Sequence, residues 1–220
     1  VHTAATSPGE GVNRSDSIMI RDNVVATSRL IDHCRKVKIR FFIYFSSLSV
    51  YGDIRDHTVD ENTVISDPDI YGVTKYLGEL MLAESTSAFQ SLIIRLPGVI
   101  GPESVRNWLT LTLEKALKGE EILIFNQTAE FNNVIHIEDL SAFILQVLDS
   151  QNSGSEVLTV GSEKPLKIHE VVELLIGESA SRSTIKDMGY SKKAPFLVSN
   201  KKASREYGYV PRAAVDIIRQ

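Results

Sequence analysis

The stretch Phe41-Phe42-Ile43-Tyr44-Phe45-Ser46-Ser47-Leu48-Ser49-Val50-Tyr51-Gly52, answered further on by Tyr71-Gly72-Val73-Thr74-Lys75, decides the reading of this chain. Its first five residues are apolar without alternation, which fits a parallel strand buried on both faces. The strand runs out into serines. A polar segment over 53–69, rich in Asp, Thr and Asn, follows, and a loop of that length in a compact domain tends to carry function. A helix then opens at Tyr71. Strand, loop and helix in this order are the repeating unit of an α/β protein with a parallel sheet.

The same residues carry chemistry. Ser47, Tyr71 and Lys75 supply a hydroxyl, a phenol and an ammonium, the set that moves a proton on and off a substrate alcohol. Tyr71 and Lys75 are four apart, so on a helix they share one face about a turn apart. A lysine cation there is expected to favour the phenolate, lowering a tyrosine pKa that starts near ~10. Ser47 would hold the reacting oxygen by hydrogen bond. A Tyr-x-x-x-Lys by itself also describes a tyrosine packed on an amphipathic helix beside a solvated lysine, and a serine run also describes a polar turn. Order and context give the set its weight.

Outward from this core, strands and helices alternate. A helix is predicted over 17–34, with Ile18, Val24, Val25, Leu30 and Ile31 at helical spacing. The helix over 71–87 packs through Leu77, Leu80, Met81 and Leu82. A strand over 91–96 leads to Pro97-Gly98, where the backbone can approach a ligand closely. A helix over 107–118 closes at Gly119. Strands over 122–125 and 133–137, a helix over 137–148 with Asp139 near its start, a strand over 156–160 and a helix over 167–176 complete the pattern.

Composition bounds the function classes. With 24 Lys and Arg against 28 Asp and Glu, the mild acidity gives no reason to expect nucleic acid or an anionic membrane as partner. No apolar run approaches the ~18 residues of a membrane span. The single cysteine, Cys34, excludes an internal disulfide and fits a reducing compartment, here taken as the cytoplasm. Its neighbours His33, Arg35 and Lys36 would lower a thiol pKa, but a small side chain packed on a helix is the favoured reading. The five histidines are scattered without ligand spacing, so no metal site is expected. His136 is read as holding a strand-to-helix turn.

Taken together, these landmarks resemble the extended short-chain dehydrogenase/reductases, the NAD-dependent epimerases/dehydratases. Val1-His2-Thr3-Ala4-Ala5 resembles the end of the family's fourth strand, and Asp22-Asn23-Val24-Val25-Ala26-Thr27 the start of its next long helix. Arg95-Leu96-Pro97-Gly98-Val99-Ile100-Gly101-Pro102 resembles the strand and loop beside the nicotinamide. Asn133-Val134-Ile135-His136-Ile137-Glu138-Asp139-Leu140 is similar to a late family element, and Asn200-Lys201-Lys202-Ala203 with Tyr207-Gly208-Tyr209-Val210-Pro211 to its terminal one.

The resemblance implies a Rossmann-like, doubly wound parallel sheet over 1–100 and 131–160, with a small C-terminal substrate-binding subdomain over 101–130 and 161–220. It implies NAD, or NADP, held by His2, Ala4, Ala5, Asp22, Asn23, Ser46, Tyr71, Lys75, Pro97 and Val99, with Ser47, Tyr71 and Lys75 catalytic. Ser47, Ser49, Gly98 and Asn132 fall on the substrate side. It also implies a homodimer through the helices over 17–34 and 71–87, packed as a four-helix bundle. The family opens with a strand, a glycine-rich turn and a helix that hold the pyrophosphate. No such turn is found here, since Gly9 and Gly11 have no strand before them. Roughly one quarter of the family's fold is therefore expected to precede Val1.

Departures from the family pattern narrow the chemistry. Dehydratases carry Asp-Glu after the catalytic hydroxyl and decarboxylases a Glu, where this chain has Leu48 and Ser49. Both activities are argued against. Many nucleotide-sugar enzymes have Asn at the place of Gly98 and Arg at that of Asn132, which leaves Arg106, Lys115, Lys118 and Arg212 as replacement charges or plain surface residues. Three functions stay open: a nucleotide-sugar epimerase, a reductase of a keto-sugar or other carbonyl, and a truncated member that binds without turnover.

Overall fold

The computed structural model describes residues 1–7, 15–105, 107–149 and 155–220, so Gly9, Gly11 and Arg106 lie outside the described residues. The helices are α1 (Asp16–Met19), α2 (Ala26–Val37), α3 (Ile70–Ala83), α4 (Trp108–Leu117), α5 (Ile137–Asp149), α6 (Ile168–Glu178), α7 (Lys201–Tyr207) and α8 (Ala214–Ile218). The strands are β1 (Phe41–Ser47), β2 (Thr58–Val59), β3 (Gln90–Leu96), β4 (Gly98–Ile100), β5 (Ile122–Ile124), β6 (Glu130–Phe131), β7 (Val134–His136), β8 (Ser155–Thr159), β9 (Leu166–Lys167), β10 (Ile185–Asp187) and β11 (Leu197–Val198). They form two compact units. The first is Val1–Asp53, Glu61–Leu96 and Ser150–Thr159; the second is Ile54–Asp60, Pro97–Asp149 and Val160–Gln220.

The first unit is built on a parallel sheet in the order β1-β3-β8. Its apolar strands explain the arrangement: Phe42, Ile43, Tyr44, Leu92, Ile93 and Ile94 are all buried, as strands covered on both faces require. His2 adds a parallel bridge beside Tyr44, through His2 N to Ile43 O at 2.8 Å and Phe45 N to His2 O at 3.2 Å. On one face, Phe42, Tyr44 and Ile93 pack with Ile31 and Cys34 of α2, Leu82 of α3 and Phe89. Cys34 thus sits in the core, and burial pushes its thiol pKa up rather than down. The predicted helix over 17–34 is in fact interrupted: α1 and α2 are joined by a π-helical turn, Ile20–Val25. That wider turn turns Asn23 inward, where it is 1% exposed. Its Nδ2 donates to Thr6 O at 2.8 Å and Thr74 Oγ1 at 3.0 Å, and its Oδ1 accepts from Thr6 N at 2.7 Å.

The second unit is assembled from two-stranded pairings. Strand β4 pairs in parallel with β7, β5 with β10, and β2 with β11, while β6 and β9 are antiparallel. Leu109, Val134, Val171, Leu175, Ile217 and Ile218 form its main core. Helix α4 begins as the sequence suggested, with the Asn107 side chain accepting from Thr110 N at 2.9 Å, and Gly119 beyond its end takes a φ of 67°. This unit is the larger of the two, where a small subdomain was expected. The reason is the β4–β7 pairing: residues 97–100 and 131–149 cluster with it, whereas the sequence-based division kept them with the main sheet. Among the described residues, no helix is long and apolar enough to cross a membrane.

Candidate active site

In the first unit, β1 ends at Ser47, and a 3-10 turn, Leu48–Tyr51, follows. The Ser47 side chain caps that turn, its Oγ accepting from Ser49 N at 3.1 Å and lying 3.2 Å from Ser49 Oγ. Helix α3 starts against it. Asp69 is its N-cap, accepting from Gly72 N at 2.8 Å, the usual way to satisfy a first-turn amide. Tyr71 then falls in the first turn and hydrogen-bonds with Ser47. Lys75, one turn on, is 3% exposed. The three residues expected to act together are therefore held by one strand end and one helix.

Gly72 is what allows the approach. A Cβ there would lie 2.2 Å from the carbonyl oxygen of Ser49 and 2.8 Å from its carbon, both backbone atoms that cannot yield. Gly72→Ala is expected to cost about 1–3 kcal/mol, the usual cost of overpacking. It should also lower turnover, because relief of the clash moves Tyr71 away from Ser47. Denaturant unfolding and a rate assay on the same preparation check both effects.

The electrostatics depart from expectation. Burial raises the Tyr71 pKa; bonding with Ser47 pulls it back, and the Asp69 carboxylate raises it further. The lowering by Lys75 anticipated from the spacing is not what sets this phenol. The Lys75 ammonium lies over the Tyr44 ring, 4.3 Å from its centroid, a cation–π contact. Burial pulls the Lys75 pKa from 10.5 down to about 8, with Glu79 opposing. His2 is lowered too, by burial first and then by Lys75.

The folded chain holds the Lys75 proton less tightly than the unfolded chain, so the ammonium destabilises the fold at every pH below about 8. The penalty fades as pH rises from about 8 towards 10.5, where the unfolded lysine also loses its proton. Lys75→Met is expected to be more stable than the parent at pH 7 by about 3 kcal/mol, with the difference closing in alkaline solution. Unfolding curves across that range test it.

The other candidates fall as follows. Ala4 and Ala5 are exposed, just beyond the His2 bridge, and the His2 ring bonds with Thr27 Oγ1 at 2.9 Å. Asp22 accepts from Thr6 Oγ1 at 2.7 Å and pairs with Arg21 at 2.8 Å. Ser46 is buried, its hydroxyl donating to Glu79 Oε1 at 2.5 Å. In the second unit, Pro97, Gly98 and Val99 are half-buried, with Gly98 N donating to Asn133 O at 3.3 Å and Val99 O accepting from Asn107 Nδ2 at 3.4 Å. Asn132 is buried and fully engaged: its Nδ2 donates to Ser162 O and Val198 O, and its Oδ1 accepts from Val198 N. Arg212 is held by Asp139 at 2.8 Å, while Lys115 and Lys118 are exposed on α4 and just past its end. His136 Nδ1 accepts from Glu138 N at 3.3 Å, which ties the turn from β7 into α5. Among the described residues no group of His, Cys, Asp and Glu could hold a metal ion.

Two functional candidates escaped the sequence reading. Glu79 and Arg95 form a buried bidentate pair, with Nη2 to Oε2 at 2.7 Å and Nε to Oε1 at 3.1 Å. The signal for Glu79 was its place one further turn along the Tyr71–Lys75 face; that for Arg95 was a lone charge inside an apolar strand.

Residues 1–161 match the family described as NAD dependent epimerase/dehydratase. Among curated proteins, an uncharacterized UDP-glucose epimerase of Bacillus subtilis is 29% identical over 166 residues, 74% of this chain and 52% of its own length. A putative UDP-glucose 4-epimerase of Methanocaldococcus jannaschii is 26% identical over 167 residues, 73% of this chain and 54% of its own. The chain thus spans about half the length of the curated relatives it matches. Among solved structures, UDP-glucuronic acid 4-epimerase from Bacillus cereus in complex with NAD superimposes with a TM-score of 0.84 at 23% identity, over 99% of this chain and 71% of that one. By the extent of the family match, this chain belongs to the NAD-dependent epimerase/dehydratase family.

Proposed function

We propose that this chain carries the catalytic residues of an NAD-dependent nucleotide-sugar epimerase. The observation that carries the reading is the Ser47–Tyr71 hydrogen bond with the Lys75 ammonium one helical turn away. The donor set suits the cofactor. Among the described residues no acceptor takes a hydrogen bond from the Lys75 ammonium, so its three donors are available to an oxygen-rich group such as a ribose. Bound there, NAD would supply the acceptor and donor of hydride for the sugar carbon.

Tyr71 exchanges the proton of the substrate oxygen: as phenolate it takes the proton of an alcohol, as phenol it returns one to a carbonyl. Ser47 donates to the same oxygen and holds it in line. Burial and the Asp69 carboxylate favour the phenol, and the Ser47 bond favours the phenolate. The relatives named for UDP-glucose epimerisation support a UDP-sugar as substrate. A homodimer is supported by the exposed Val73, Leu77 and Leu80 along one stripe of α3 and by Ile20 and Val25 of the π-helical turn. The lone free Cys34 suits the cytoplasm.

A reductase of a keto-sugar or other carbonyl is the second reading, favoured by the second unit. There Gly98 offers no side chain, Asn132 is engaged with backbone and Arg212 is ion-paired, so none of the three offers a free group to a diphosphate. The intact protein incubated with NAD and either UDP-glucose or UDP-glucuronic acid, and separately with reduced cofactor and a keto-sugar, separates the two. Appearance of the 4-epimer without net change in cofactor supports the epimerase. Net oxidation of reduced cofactor by a keto substrate supports the reductase, and neither outcome would reject both.

A further inference from the structure

Beneath the candidate site, one row of the sheet is polar. Ser46 of β1 is the register partner of Arg95 of β3, and Arg95 that of Thr159 of β8. Glu79 of α3 reaches down to this row. Its Oε1 accepts from Ser46 Oγ at 2.5 Å and Arg95 Nε at 3.1 Å, and its Oε2 accepts from Arg95 Nη2 at 2.7 Å. Arg95 also stacks on the Tyr51 ring, 4.8 Å from its centroid, and donates to Glu61 O at 3.5 Å. Both charged side chains are nearly sealed from water, at 6% and 4% exposure. A buried ion pair contributes little stability relative to well-packed apolar side chains, so stability alone does not account for it. Direction does: three donors on one carboxylate fix both the height and the rotation of the helix above them.

We infer that Glu79 is a positioning residue for this site, clamping α3 on the sheet and so fixing where the Tyr71 phenol and the Lys75 ammonium stand. Its placement serves both ends. Ser46, which it holds, precedes Ser47, and Lys75 lies one turn before it on the same helix face. The ionisable groups around Lys75 are Tyr71 and Glu79 on α3, Tyr44 on β1, and His2 on the first segment. Of these, Glu79 is the group whose charge raises the Lys75 pKa. The inference rests on the proposed role of Lys75 as the cation of the site.

The test is an NMR titration of the Lys75 side chain in the intact protein, compared with Glu79→Gln and Glu79→Asp. Glu79→Gln keeps the shape and loses the charge; the Lys75 midpoint is expected to fall by about one pH unit. Glu79→Asp, which keeps the charge, is expected to restore most of it. An unchanged midpoint in folded Glu79→Gln would overturn the inference. If that variant does not fold, Glu79→Gln combined with Arg95→Met is titrated against Arg95→Met alone, which differs from it by the Glu79 charge; failure of both Glu79→Gln forms to fold would mark the pair as purely structural and also overturn it. The titration needs no turnover. A protein that is inactive in every form yet shows the midpoint shift would therefore refute the epimerase reading while leaving the Glu79 effect standing.

Discussion

Tyr71→Phe is expected to fold like the parent and to lose turnover by about a hundred- to ten-thousand-fold, the range for removing a positioned acid–base group. The ring of Tyr71 packs at the start of α3, and phenylalanine keeps that ring. What disappears is the oxygen that hydrogen-bonds with Ser47. Helix α3 should remain in place, because its anchors lie elsewhere: the Asp69 cap at one end, the Glu79 clamp further along, and Leu82 in the core. The rate loss should therefore come without loss of melting temperature. A variant retaining near-parental turnover would remove Tyr71 from the chemistry.

Arg95→Met is expected to have the largest effect on stability, about 3–5 kcal/mol, because it strands the Glu79 carboxylate in the interior. That is a large share of the ~5–15 kcal/mol that holds a typical domain folded. The companion result is diagnostic. Adding Glu79→Gln to Arg95→Met removes the stranded charge and should recover much of the loss, since replacing both members of a buried pair is often close to neutral. Denaturant unfolding of the three proteins gives the coupling directly. If the double variant is as unstable as Arg95→Met, the damage comes from lost packing over Tyr51 rather than from the unpaired carboxylate.

How much of this was legible in the sequence depends on which contacts are local. The apolar strand from Phe41 and the helix opening at Tyr71 were legible through an unbroken apolar run and through helical spacing, although the helix closes at Ala83 rather than at 87; the cap by Asp69 and the close fit of Gly72, which seat Tyr71 against Ser47, were not. The charge of Lys75 was different. Spacing placed it on the face of Tyr71, but its side chain is long enough to reach the Tyr44 ring, 31 positions earlier in the chain, and nothing in the helix pattern tells of that. Asp22 and Asn23 were placed at a helix start, among the residues that the resemblance sets against the cofactor. Only the π-helical turn directs Asn23 to Thr6 and Thr74, because one extra residue in a turn rotates everything that follows. The Glu79–Arg95 pair needed the cross-strand register of Ser46 with Arg95, which short motifs do not encode. Asn132 likewise bonds to residues 30 and 66 positions away.

The central claim is that Tyr71, supported by Ser47 and Lys75, exchanges a proton at a sugar oxygen while hydride leaves the adjoining carbon and returns to it. The most direct measurement places deuterium on that carbon of UDP-glucose and follows it through turnover by the intact protein with NAD. The account predicts a 4-epimer that keeps the deuterium on the same carbon, with no net reduced cofactor, and no such product from Tyr71→Phe. Epimer formed with the deuterium lost to solvent, or formed equally well by Tyr71→Phe, would contradict it.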